Sequence, residues 1–148
     1  MKIVTEVEIT DQRVSDILCD AFEGGSNYWI AQIAYLYKGK LYEESKKLRA
    51  EIKKLGNFPL PIEEMEYPPY IWLSLIVGGE VLITAQDQEN PVRADKNYSL
   101  NAGTLRAGMT TMAQKYPKHF ADIINENDDA VTGDVFLQCC LFGEIIFS

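Results

Sequence analysis

Residues 10–29 read TDQRVSDILCDAFEGGSNYW, and their pattern sets the architecture. Val14, Ile17, Leu18, Ala21 and Phe22 recur at helical spacing and form one apolar stripe. Thr10 supplies an N-cap hydroxyl, and Asp11 sits in the first turn, where the helix dipole favours an anion. Gly24 and Gly25 stop the helix. From Tyr28 to Tyr37 the residues become aromatic and β-branched, the composition of a strand. A capped amphipathic helix turning through two glycines into a strand is the signature of a helix laid on a sheet.

Upstream, Ile3, Thr5, Val7 and Ile9 alternate with Lys2, Glu6 and Glu8, a period of two that predicts a strand with one wet face. Downstream, residues 43–55 are strong helix formers, with Leu48, Ile52 and Leu55 on a narrow stripe and Gly56-Asn57 at the end. Pro59, Pro61, Pro68 and Pro69 mark a connection. Ile71 to Ile76 and Glu80 to Thr84 flank Val77-Gly78-Gly79 and predict a β-hairpin. Ser99 to Ala113 returns to helical periodicity through Leu105, Met109, Met112 and Ala113. Gly103 and Gly108 lie within it, which predicts close packing against a neighbour. Pro117 opens a short helix carrying Phe120, Ile123 and Ile124, and Asn125 to Asp129 is a polar acidic loop. A last helix, capped by Thr132, carries Val135, Phe136, Cys139 and Cys140. The expected fold is α+β, a small, mostly antiparallel sheet covered by three to five helices, in a single domain spanning residues 1–148.

Composition excludes several function classes. The chain has 148 residues, 47% of them hydrophobic, 24% charged, and a formal net charge of −8. That is enough chain for one self-sufficient core. From Phe58 onward there are five basic and thirteen acidic residues, whereas the part up to Asn57 is neutral. Direct electrostatic binding to nucleic acid is therefore not expected. Lys38 to Lys54 holds seven of the fourteen basic residues, a solvated helix face or an anion-contacting patch. No apolar stretch approaches the roughly 20 residues of a bilayer span, and no signal-peptide core follows Met1, so a cytoplasmic location without membrane association is expected. Cys19, Cys139 and Cys140 have no zinc spacing and read as small buried hydrophobes in a reducing compartment. No cofactor or metal is implied.

Three constellations merit attention. Gly24, Gly25, Ser26, Asn27, Tyr28 and Trp29 combine close backbone approach, side-chain hydrogen bonding and two rings for stacking. They suit either a helix cap followed by a strand or a ligand-binding loop, and lack the lysine of a P-loop. Asp128, Asp129, Thr132 and Asp134 either cap and charge a helix N-terminus or form an acidic binding surface, without calcium-loop spacing. Lys115 to His119 contains the one histidine, with no nucleophile or co-ligand at a telling spacing.

The segments EVEIT, ILCDAFEGGSNYW and MAQKYPKHFADIINENDDAVTGDVFLQCCLFGEIIF resemble a family of small proteins of bacteriophages, prophages and mobile elements. The resemblance covers roughly the first thirty and last forty residues. It implies an anti-defence role: non-catalytic inhibition of a host defence protein, such as a CRISPR effector, or sequestration of a nucleotide second messenger. An acidic DNA mimic would need its carboxylates on one exposed face, and a nucleotide sponge an enclosed pocket lined by aromatics. The alternative is a structural module, a homo-oligomer in which a partner subunit covers Leu141 to Phe147.

Overall fold

The computed structural model describes residues 1–37, 39–41, 79–86 and 96–148, and gives an α+β fold. In chain order the elements are α1 (Asp11–Asp20), a single π turn (Ala21–Gly25), β1 (Ile30–Tyr37), β2 (Lys40–Leu41), β3 (Glu80–Ala85), β4 (Asn97–Leu100), α2 (Ala102–Lys115), α3 (Pro117–Ile124) and α4 (Ala130–Phe142). The strands form one antiparallel sheet in the order β2-β1-β3-β4, three principal strands with the two-residue β2 at one side. Register sets Tyr35 opposite Val81 and Ile33 opposite Ile83, with Leu100 and Tyr98 on the far side of the same two β3 residues. One face of β3 is accordingly buried at Val81, Ile83 and Ala85, the period of two that one covered face demands.

α4 lies at the centre of the helical layer. It packs against α1, the π turn, α2, α3 and β4, and every residue from Thr132 to Cys140 is buried. A helix buried all round cannot be amphipathic, and apart from Gln138 the run Val135 to Phe142 is apolar. Two glycines let its neighbours approach: a Cβ at Gly133 would stand 2.6 Å from Ala21 N, and one at Gly108 of α2 would stand 2.6 Å from Cys140 Cα. Gly108 thus explains its own low-propensity choice within a helix. α1 buries Ile17 and Leu18 against this layer, and Ala21 and Phe22 continue the stripe through the π turn.

Several expectations change. Residues 1–10 form no regular secondary structure, because no described strand lies beside them to take up their backbone hydrogen bonds. The strand expected from Tyr28 begins at Ile30, with Tyr28 and Trp29 in the preceding turn. Ser99 and Leu100 belong to β4, so the helix after them starts at Ala102. β3 pairs with β1 and β4. The helix over 43–55 and the hairpin partner Ile71 to Ile76 lie outside the described residues.

The C-terminal segment packs on its own domain. α4 ends at Gly143, whose φ of 73° is the left-handed conformation that glycine adopts cheaply. Tyr116 Oη accepts from Ile145 N at 2.8 Å, and Gln138 Oε1 accepts from Ile146 N and Phe147 N, both at 2.8 Å. Ile145, Phe147 and Phe142 pack on the core. The apolar end that a partner subunit was expected to cover is thus partly covered by the chain itself.

Candidate functional site

The loop at 24–29 and the start of α4, far apart in sequence, meet in space around Asp134. Ser26 Oγ and Trp29 Nε1 both donate to Asp134 Oδ1 at 2.7 Å. Tyr28 Oη donates to Oδ2 at 2.7 Å, and Gln138 Nε2, one helical turn on, donates to the same oxygen at 3.0 Å. A carboxylate 8% exposed therefore receives four neutral donors. Burying a carboxylate is costly, and charge-assisted hydrogen bonds to both oxygens offset that cost. Partial burial, with the hydrogen bond to Asp134 and its nearby charge, pushes the Tyr28 phenol well above its ordinary value.

This arrangement corrects the expected placement of two residues. Asp134 does not charge the helix N-terminus; it points inward as the anchor of the loop. Trp29 is 1% exposed and stacks on Phe147 at 5.2 Å with the ring planes 4° apart, while Phe142 tilts against it at 5.5 Å. Its ring has no face left for a ligand. Tyr28 keeps half of its surface in solvent although its hydroxyl is bound. Gly25 lies against the start of α4, where a Cβ would collide with Ala130 O, so a close backbone approach is real but is made to the protein itself. Gly24 and Asn27 are exposed.

The second constellation divides. Asp129, not Thr132, is the N-cap of α4: its carboxylate accepts from Thr132 N at 3.0 Å, and Thr132 Oγ1 accepts from Asp129 N at 3.2 Å. That reciprocal capping box satisfies two donors at the helix start. It also holds the Asp129 carboxyl below its ordinary value. Asp128 instead faces α1. Arg13 grips it with both guanidinium nitrogens, NH1 reaching Oδ2 at 3.1 Å and NH2 bonding Oδ1, and NH2 also reaches Ile123 O at 3.1 Å.

Asp20 completes this cluster. Burial, a hydrogen bond to Asp128 and that neighbour's charge raise its carboxyl from 3.8 to about 6, while Arg13 holds Asp128 below the usual range. Asp16 and Glu126 also act on Arg13, and Glu23, Asp16 and Asp20 all act on the Cys19 thiol. Asp16, Asp20, Glu23, Glu126, Asp128 and Asp129 thus gather on α1, the π turn and the loop before α4. Asp16, Glu23, Glu126 and Asp129 are exposed there.

Chemistry by nucleophile has little support in this region. The Ser26 hydroxyl is committed to Asp134. Burial pushes the thiols of Cys139 and Cys140 upward, the first to about 11, and the Cys19 thiol is raised as well. All three cysteines are free. Among the described residues no group of three or more His, Cys, Asp and Glu side chains is placed to hold a metal ion, and no helix is long and apolar enough to cross a membrane. A groove of about 370 Å³ lies elsewhere, between residues 7–14 and α2.

Arg13, Asp16, Asp20 and Gln138 were not picked out from the sequence. Arg13, Asp16 and Asp20 lie at i, i+3 and i+7 on α1, beside the apolar stripe, and that spacing was the available signal. Gln138 interrupts the apolar run VFLQCCLF, and a lone amide there requires partners. No protein-family model, curated protein or solved structure matches the chain, which leaves its own geometry as the ground for a functional reading.

Proposed function

We propose that this chain is a non-catalytic accessory protein of a phage or mobile element, one that inhibits a host defence effector by presenting an acidic face to a basic groove. The observation that carries the reading is the gathering of Asp16, Asp20, Glu23, Glu126, Asp128 and Asp129 on one side, with Arg13 already engaged by Asp128. Carboxylates gathered on one side create a local negative potential, which steers association with a cationic surface. The alternative of sequestering a nucleotide needs an aromatic-lined enclosure. Trp29, the strongest stacking residue of the loop, is spent on Phe147, so the effector-binding form has the better support. The phage context rests on the resemblance of the three segments quoted above.

The test is competition. The purified chain should compete with duplex DNA for a CRISPR effector, and its binding should weaken by about tenfold or more between low and moderate salt. Reversing two exposed charges, Asp16→Lys with Glu23→Lys, should abolish inhibition while leaving the melting temperature in place. Inhibition indifferent to both salt and charge reversal would refute the acidic-face reading.

A further inference from the structure

We infer that residues 2–9 are a pairing strand for a second copy of this chain, joining two molecules in an antiparallel β-ribbon centred on Thr5. The segment has the alternation of a strand but forms none in the single chain. It holds its apolar side chains in water: Ile3 is 74% exposed, Val4 95% and Val7 52%. Exposed large hydrophobics concentrated in one strand-patterned stretch mark a surface made to be covered.

The occupant follows from the segment's own complementarity. Opposed residues of an antiparallel pair lie on the same face, so registers centred on a residue keep the alternating apolar set of Ile3, Thr5, Val7 and Ile9 together on one face. Centring on Thr5 places Ile3 opposite Val7 and Met1 opposite Ile9 twice over, with Thr5 on Thr5 at the axis. On the other face Lys2 stands opposite Glu8, again twice, and Val4 stands opposite Glu6, outside the apolar set. Centring on Glu6 would set that carboxylate against its own copy, which is unfavourable, and centring on Val4 would set Ile3 opposite Thr5 in both symmetric pairs. Such self-complementarity is the property a two-fold interface requires.

The structure supplies a seat for the ribbon. Val7 and Ile9 line the groove of about 370 Å³, together with Val14 of α1 and Leu105 and Met109 of α2. The partner residues opposite Val7 and Ile9 are Ile3 and Met1, so their side chains enter over this groove. Each copy thereby covers the apolar face that the other leaves open. This surface is separate from the acidic face and stands independently of the function proposed for it.

Sedimentation velocity of the full chain over a concentration series tests the inference. The chain should reach the mass of two copies. Lys2→Glu alone and Glu8→Lys alone should each weaken dimerisation by about tenfold, because each sets like charges opposite in both symmetric pairs. The two substitutions together restore opposite charges and should restore the dimer. Both positions are exposed, so folding is unaffected, and unchanged melting of the diluted protein confirms it. A chain monomeric at every concentration, a dimer indifferent to the single substitutions, or a double variant that stays weakened would each overturn the pairing.

Discussion

Two aspartates six positions apart in sequence, Asp128 and Asp134, live under opposite regimes. Asp134 is inside, held by four neutral donors from Ser26, Tyr28, Trp29 and Gln138. Asp128 is nearer the surface, gripped by the cation of Arg13 and bonded to the carboxyl of Asp20. The first centre fixes the fold: its partners come from the 24–29 loop and from α4, and Gln138 extends the network to the C-terminal segment. The second shapes the electrostatics of a solvated face. Both carboxyl groups are largely shielded from water, and the partners set the difference: neutral donors make Asp134 a structural pin, whereas a cation and a second carboxyl hold Asp128, because a shielded charge is tolerated only when it is partnered.

The sharpest way to break that contrast is Asp134→Ala. It strands three or more buried donors, for which about 3–5 kcal/mol of lost stability is expected by urea denaturation. A loss below about 1 kcal/mol would mean that the centre is not a pin. Gln138→Leu should cost somewhat less, about 2–3 kcal/mol, since it unties Ile146 N and Phe147 N but keeps the volume of the core. Hydrogen exchange should then rise at those two amides specifically. Tyr28→Phe removes one donor of four from a half-exposed ring, and about 1 kcal/mol or less is expected.

The surface centre should show itself in pH dependence instead. Asp20 is raised in the folded chain, so the native state keeps a proton that the unfolded chain releases. Its contribution is fully present below about 4 and is lost as pH rises through about 6. Asp128 is lowered, and its contribution runs the other way, lost only as pH falls below the ordinary carboxylate range. Asp20→Asn keeps the uncharged form at every pH. The parent's melting temperature should therefore fall between pH 4 and pH 6.5 relative to that of the variant. Parallel profiles would show that Asp20 and Asp128 do not share a proton.

Much of the fold was legible locally. The stripe from Val14 to Phe22, the Thr10 cap, the proline at the start of α3 and the apolar run of α4 are all short-range patterns, and each element formed. β4 was not legible, because Asn97 to Leu100 is short and polar and becomes a strand only through its pairing with β3. The candidate site was half legible. Ser26, Tyr28, Trp29, Asp128, Asp129 and Asp134 were singled out and Arg13, Asp16, Asp20 and Gln138 were not, and Trp29 and Asp134 were expected at the surface when each is the other's buried partner.

What the sequence determined by itself is the α+β class, the position of the described helices and the strongly acidic balance, because these follow from periodicity, capping and composition within a few residues. Only the tertiary structure decided which carboxylates are buried and which crowd together outside. Ser26 and Asp134 are 108 residues apart, and Arg13 and Asp128 are 115 apart. At such separations no local pattern marks one residue as the other's partner. Their meeting depends on the packing of α4 against α1 through Gly133, and the partners that this packing brings to each charge decide what it does.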